Sequence, residues 1–257
     1  MVEDSYANLI YQGKKSSDLG VLIQYPFNLT HPIPDIDPTH IKGRSGDFLQ
    51  SDNSYQNVTE TFNCIIQRQP GVSQFDTERQ IIDWLASPVS QGRKQYQYLQ
   101  FDIDPEYVYN AILQNPPVIQ WNENTDTMAT GQITFYCEPF QYRINGIDYV
   151  PLPDNGTVIN EELQNAVPNW HFIANGTFIL NVNGYEYEFD NMSGEFWLNG
   201  DTGDTYDSKN NLFNSQIKFP NLAPPKLIPG KNTITITADS GSTITKAEYM
   251  PRWRRLI

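Results

Sequence analysis

Alternation of apolar and polar positions is the dominant pattern along this chain, and it predicts strands. The clearest run is 58–66, Val58-Thr59-Glu60-Thr61-Phe62-Asn63-Cys64-Ile65-Ile66, the period-two signature of a half-buried strand. Further strands are predicted at 19–25, 96–101 and 102–110, with β character continuing through Ile112 and 118–121. Another covers 131–137, with Glu138-Pro139 expected to stop it. The pattern switches to helical period once, over about 74–86. There Phe75, Ile81, Ile82 and Leu85 form a narrow apolar stripe, Ser73 is the expected N-cap with Asp76 three residues on, and Ser87-Pro88 the expected stop. Trp84 lies off the centre of that stripe, either as a second contact face toward a neighbour or as the edge of the core. The stretch 31–38, with three prolines, reads as an irregular loop or extended arm. Gly43-Arg44-Ser45-Gly46-Asp47 follows it, where two glycines permit a tight turn with positive φ.

Beyond about Arg143 the punctuation changes. Asn-Gly pairs stand at 145–146, 155–156, 175–176, 183–184 and 199–200, each expected to be a turn. The apolar runs 177–183 and 185–189 flank Asn183-Gly184, a type I′ hairpin signal. With strands at 195–198, 216–219 and 233–238, the spacing is that of a β-sandwich. The expected organisation is two domains, 1–143 and 144–257.

Composition narrows the function classes. Hydrophobic residues make up 39% of the 257, enough for packed cores, while the net charge is −13. Both predicted domains are acidic, so recognition of nucleic acid is not expected. No apolar run approaches the roughly 20 residues that span a bilayer, and membrane insertion is not expected either. The first residues, Met1-Val2-Glu3-Asp4, are acidic and carry no apolar stretch, so no secretory leader is expected. The two cysteines, Cys64 and Cys137, sit inside apolar runs and read as buried free thiols. Five Asn-x-Ser/Thr sequons, at Asn28, Asn57, Asn155, Asn175 and Asn191, read as chance products of an Asn- and Thr-rich β protein.

Candidate chemistry is sparse. Asp102 and Asp104, placed on one strand face, have a spacing that any extended chain would give, and they read as a solvated strand end rather than a hydrolytic pair. Asp201, Asp204 and Asp207 do not follow the ligand pattern of a calcium loop. His31, His40 and His171 lack metal-ligand spacing; His171, between Trp170 and Phe172, reads as a core or edge residue. No nucleophile elbow, phosphate loop or dinucleotide fingerprint occurs. No catalytic residue, metal site or cofactor is therefore expected. One basic cluster stands out, Pro251-Arg252-Trp253-Arg254-Arg255. It is either a docking element for another domain or subunit, with Arg252, Trp253 and Arg254 as its contacts, or the last strand of the second domain.

Taken in order, several segments are similar to one family. They are Gly43-Arg44-Ser45-Gly46-Asp47, Asp83-Trp84-Leu85-Ala86, Asp104-Pro105-Glu106-Tyr107-Val108-Tyr109, the run from Gly131 to Phe140, Phe219-Pro220-Asn221-Leu222, Pro229-Gly230-Lys231-Asn232-Thr233-Ile234 and Pro251-Arg252-Trp253-Arg254. Over nearly the whole length the chain resembles the distal tail proteins (Dit) of long-tailed siphophages. It departs at 221–230, longer and richer in proline than the family's short turn, and at Phe140, where tyrosine is more usual.

The resemblance implies a mainly β fold: a tail-tube-like N-terminal β domain with one α-helix, then a galectin-like β-sandwich. It implies a virion protein of the tail tip, made in the host cytoplasm, whose N-terminal domains close a homo-hexameric hub. That hub joins the tail tube protein to the tail-associated protein and anchors receptor-binding proteins. A head-to-tail ring needs heterologous interfaces that often pair sheet edges. Gly43, Arg44, Gly46, Asp47 and Trp84 are the candidate ring contacts, with 31–48 and 96–109 as the segments carrying them. A carbohydrate-binding module, drawing on Trp170, Trp197, Tyr185 and Tyr187, is the competing reading, and a glycoside hydrolase the third.

Overall fold

The computed structural model describes residues 6–86, 89–90, 93–153 and 156–257. The chain is mainly β and divides into two units, one ending at Gln141 and taking in Leu256–Ile257, the other spanning Tyr142–Arg255. Among the described residues there is one α-helix.

The first unit carries β1 (Tyr6–Ala7), β2 (Leu9–Tyr11), β3 (Lys14–Lys15), β4 (Val21–Gln24), β5 (Pro34–Thr39), β6 (Phe48–Tyr55), β7 (Val58–Gln67), α1 (Gln74–Leu85), β8 (Val89–Ser90), β9 (Arg93–Lys94), β10 (Gln97–Phe101), β11 (Tyr107–Leu113), β12 (Val118–Trp121) and β13 (Met128–Arg143). The main sheet runs β1-β4-β7-β13-β11-β10-β2-β3, with β12 on β13. Strict alternation along β7 sends Val58, Phe62, Cys64 and Ile66 inward, and β13 pairs with it antiparallel from Met128↔Gln67 to Cys137↔Val58. Phe62, Phe101, Phe135 and Tyr11 close the core with ring centroids about 5 to 6 Å apart. Both cysteines are buried and free.

Several expectations are corrected. Of the two readings of 31–38, the extended one holds from Pro34 on and the irregular loop does not: β5 pairs antiparallel with β6 as a separate two-stranded ribbon. Its prolines are tolerated because β5 is an edge strand. Strand β13 runs through Glu138-Pro139 instead of stopping there. The β7 ladder ends at Cys137↔Val58, so the missing Pro139 N–H costs no bond on that side. Asp102 and Asp104 lie in the turn between β10 and β11, closed by Tyr107 N–H donating to the Asp104 carbonyl.

The helix begins as predicted, with the Ser73 hydroxyl accepting from the Asp76 N–H at 3.0 Å; the Ser87-Pro88 stop lies outside the described residues. Its buried face, however, is Thr77, Ile81, Trp84 and Leu85, while Phe75 and Ile82 are exposed. Thr77 hides the true i, i+4, i+7, i+8 set from a hydropathy reading, and Phe75 instead lies against the Arg79 guanidinium.

The second unit carries β14 (Val150–Pro151), β15 (Thr157–Asn160), β16 (Asn169–Val182), β17 (Tyr185–Leu198), β18 (Thr205–Tyr206), β19 (Ile217–Lys218), β20 (Gly230–Ala238) and β21 (Thr243–Met250). The hairpin β16–β17 is its spine. Asn183 and Gly184 both have positive φ, 55° and 85°, the backbone a type I′ turn requires. The first half of β16 pairs with β21 and the second half with β20. The exchange falls at an irregularity between Gly176 and Phe178, so Asn175-Gly176 marks a bulge inside a strand rather than a turn. Side chains from both halves meet in one core, where Phe172, Phe178, Phe189 and Phe196 pack ring to ring.

Candidate functional site

Among the described residues, the ribbon β5–β6 contains the longest wholly exposed stretch of the first unit. Every residue from 33 to 51 is exposed, including Ile33, Ile36, Ile41, Phe48 and Leu49, the last at 64%. Five large exposed apolar side chains within 33–49 is a concentration of the kind found at interaction surfaces. The loop between the strands holds the four predicted residues Gly43, Arg44, Gly46 and Asp47. Gly43 and Gly46 have φ of 87° and 83°, which only glycine adopts without strain. The Arg44 N–H donates to the Ile41 carbonyl, and His40 faces Asp47 at 3.2 Å.

The root of the ribbon is held firmly. The Thr30 N–H donates to Glu60 Oε1 at 2.8 Å, and its hydroxyl donates to the Thr59 carbonyl at 3.2 Å. His31 Nδ1 lies 2.9 Å from the Ile257 oxygen, and the Tyr55 and Phe140 rings meet edge to face. Glu60 is 1% exposed, and burial pushes its carboxyl up to about 7, against the opposing pull of the Thr30 hydrogen bonds and of His31. The sequence analysis gave Glu60 no role. The available signal was a carboxylate at an inward register position, between Val58 and Phe62. The result is a fixed base below exposed apolar side chains and a polar tip.

Trp84, the remaining predicted ring contact, is 7% exposed, and its indole N–H donates to the Tyr11 carbonyl at 2.9 Å. Its surface is spent inside its own unit.

The basic cluster lies largely within the second unit. Arg252 is buried and bonds the Asp201 carboxylate, the Tyr142 hydroxyl and the Val167 carbonyl, with its guanidinium 5.1 Å from the centre of the Tyr142 ring. Trp253 packs on Gly146, where a Cβ would stand 2.8 Å from the indole. Arg254 Nε donates to the Asn165 carbonyl at 2.7 Å.

The other candidates have structural partners. Asp102 accepts from the Asn8 backbone N–H and carboxamide at 2.8 and 2.7 Å. Asp207 accepts from the Lys209 and Asn211 amides. His171 is buried between Glu195 and Glu248, at 2.9 and 3.1 Å, and stacks on Trp197 at 4.7 Å. It ends a cross-strand ladder that Trp197 and Tyr206 continue. Cys64 is inert as a nucleophile, since burial pushes its thiol up to about 12. Among the described residues no group of His, Cys, Asp or Glu could hold a metal ion, and no helix is long and apolar enough to cross a membrane.

No protein-family model matches the chain, and no curated protein matches it either. Among solved structures, the chain is similar to the Dit protein of phage SPP1, described as a paradigm of the hub adsorption apparatus in phages infecting Gram-positive bacteria. The similarity covers 95% of this chain and 96% of that one, at 15% identity and a TM-score of 0.59. At that identity the likeness lies in the fold alone: the chain shares a mainly β, Dit-like fold, in keeping with the sequence resemblance.

Proposed function

We propose that this chain is a structural component of a phage tail adsorption apparatus, a distal tail protein at the tail tip of the virion. The carrying observation is agreement along almost the whole length with the Dit fold, reached separately from the ordered sequence segments. In this reading six copies close a ring, head to tail, between the tail tube protein and the tail-associated protein, with receptor-binding proteins attached. The protein acts by assembly, not by catalysis.

The β5–β6 ribbon supplies one half of each ring contact. Its exposed apolar residues would be buried against the next copy, and a permanent interface of this kind buries on the order of 2,000 Å² or more. Gly43, Arg44, Gly46 and Asp47 shape its tip. Trp84 takes no direct part, because its ring is already enclosed. Negative-stain imaging of the purified chain, alone and with the tail tube protein, tests the reading. Rings with a central hole support it; a monomer at every concentration that never joins tail proteins overturns it.

A further inference from the structure

The proline-rich loop 221–230, singled out by its length, builds one wall of a cleft in the second unit. The cleft has a volume of about 390 Å³, within the range of about 300–1,000 Å³ typical of small-molecule sites. The opposite wall is the β16–β17 hairpin end, with Tyr185 and Tyr187; Asn165, Asn221, Pro224 and Lys226 complete the lining.

The frame is fixed while the lining is free. Asn183 donates to Asn232 Oδ1 at 2.7 Å and accepts from the Thr233 N–H at 2.9 Å, which pins the hairpin end beside Tyr185. The loop is tied down by reciprocal backbone bonds between Ala166 and Leu227. Tyr187 packs edge-on against Phe219. Asn221 and Leu222 both have positive φ, 57° and 56°, turning the chain sharply between prolines that limit its other conformations. By contrast, the side chains of Asn165, Tyr185, Asn221 and Lys226 have no hydrogen-bond or ionic partner among the described residues. Tyr185 is 52% exposed.

The chemistry of the lining selects a ligand class. No lining residue is a carboxylate, so a cation finds no counter-charge. A purely apolar ligand would leave the carboxamides and phenols unpaired. A single lysine is a thin basis for a polyphosphate. What fits is a molecule with an apolar C–H face to rest on an aromatic ring and hydroxyls around its rim. We propose that this cleft binds a neutral saccharide unit, with Tyr185 as the platform and the Asn165 and Asn221 carboxamides as hydroxyl partners. This site is independent of the hub reading.

The test is a chemical-shift titration of the full-length chain with methyl α-D-glucopyranoside, methyl β-D-galactopyranoside and N-acetyl-D-glucosamine, each to on the order of tens of millimolar, with inorganic phosphate as a fourth probe. Saturable shifts confined to 183–187 and 220–228 with at least one sugar are expected. Tyr185→Ala and Asn165→Ala should each weaken that binding about tenfold or more, a loss of roughly 1.4 kcal/mol, while Tyr185→Phe retains most of it. No saturable response to any of the three sugars overturns the proposal. So does a response to phosphate alone, or sugar binding indifferent to Tyr185→Ala. Rings that form but bind no sugar refute the cleft and spare the hub; sugar binding by a chain that never assembles does the reverse.

Discussion

Glu60 sits at an inward position of β7, between Val58 and Phe62, with its carboxylate held by the Thr30 N–H. Its carboxyl is raised from 4.5 to about 7 by burial. A raised acid binds more protons in the native state than in the unfolded one across that window, so its contribution to stability falls as pH rises from about 4.5 to about 7. Glu60→Gln keeps an acceptor for Thr30 and removes the titration. Urea melts should show the variant more stable than the parent above pH 7, by on the order of 2–3 kcal/mol, with a flatter pH profile below it. An unchanged profile would mean Glu60 is not the titrating group. At the same scale, Trp84→Phe keeps most of the packing but loses the N–H bond to Tyr11, and should cost about 1 kcal/mol in the same melts. The sequence offered the edge of the core as one reading for Trp84 and an inward register for Glu60, but it showed neither partner. The Trp84 partner comes from a strand 73 positions earlier, and the Glu60 partner from a segment outside the strand's own pattern.

Local signals read true at the scale of elements. The Ser73 cap, the Asn183-Gly184 turn and the β7 alternation each depend on a few adjacent residues, and each stands as predicted. Ser73→Ala should lower stability by about 1 kcal/mol, since the Asp76 N–H would lose its acceptor. Long-range pairings did not show. The β5–β6 ribbon hides behind prolines that signal loop, and its register shifts between Pro34 and Ile36. The Asn175-Gly176 pair, identical in sequence to a turn, is a bulge because β21 and β20 take over from each other there. Asn199-Gly200 needs its glycine for space: a Cβ would stand 2.2 Å from the Pro168 carbonyl oxygen. Gly200→Ala should therefore cost at least about 1–3 kcal/mol, measured as a shifted unfolding midpoint in the full chain.

For the whole molecule, fold class was legible because period-two patterning and Asn-Gly punctuation run through nearly every segment. The surface proposed to do the work was named in part, since the resemblance pointed to 31–48, but hydropathy alone could not show that Ile36 and Leu49 are exposed on a paired ribbon. In the hub reading the double variant Phe48→Asp/Leu49→Asp, at exposed positions, should leave each copy folded with an unchanged melting curve. It should abolish rings in negative stain and shift light-scattering mass to the single chain. Rings that persist in this variant would place the contact elsewhere.

Pro34 and Pro38 give this ribbon a further property. Two of the six residues of β5 offer no backbone N–H, so another strand laid along that side would find gaps in its ladder. An exposed, apolar, two-stranded projection is otherwise a ready seed for fibrils. Here the prolines make open-ended growth along β5 unfavourable while leaving the side chains of Ile36, Phe48 and Leu49 available. In the hub reading, a newly made copy would thus keep its side chains for the neighbouring copy and be a poor template for its own aggregation.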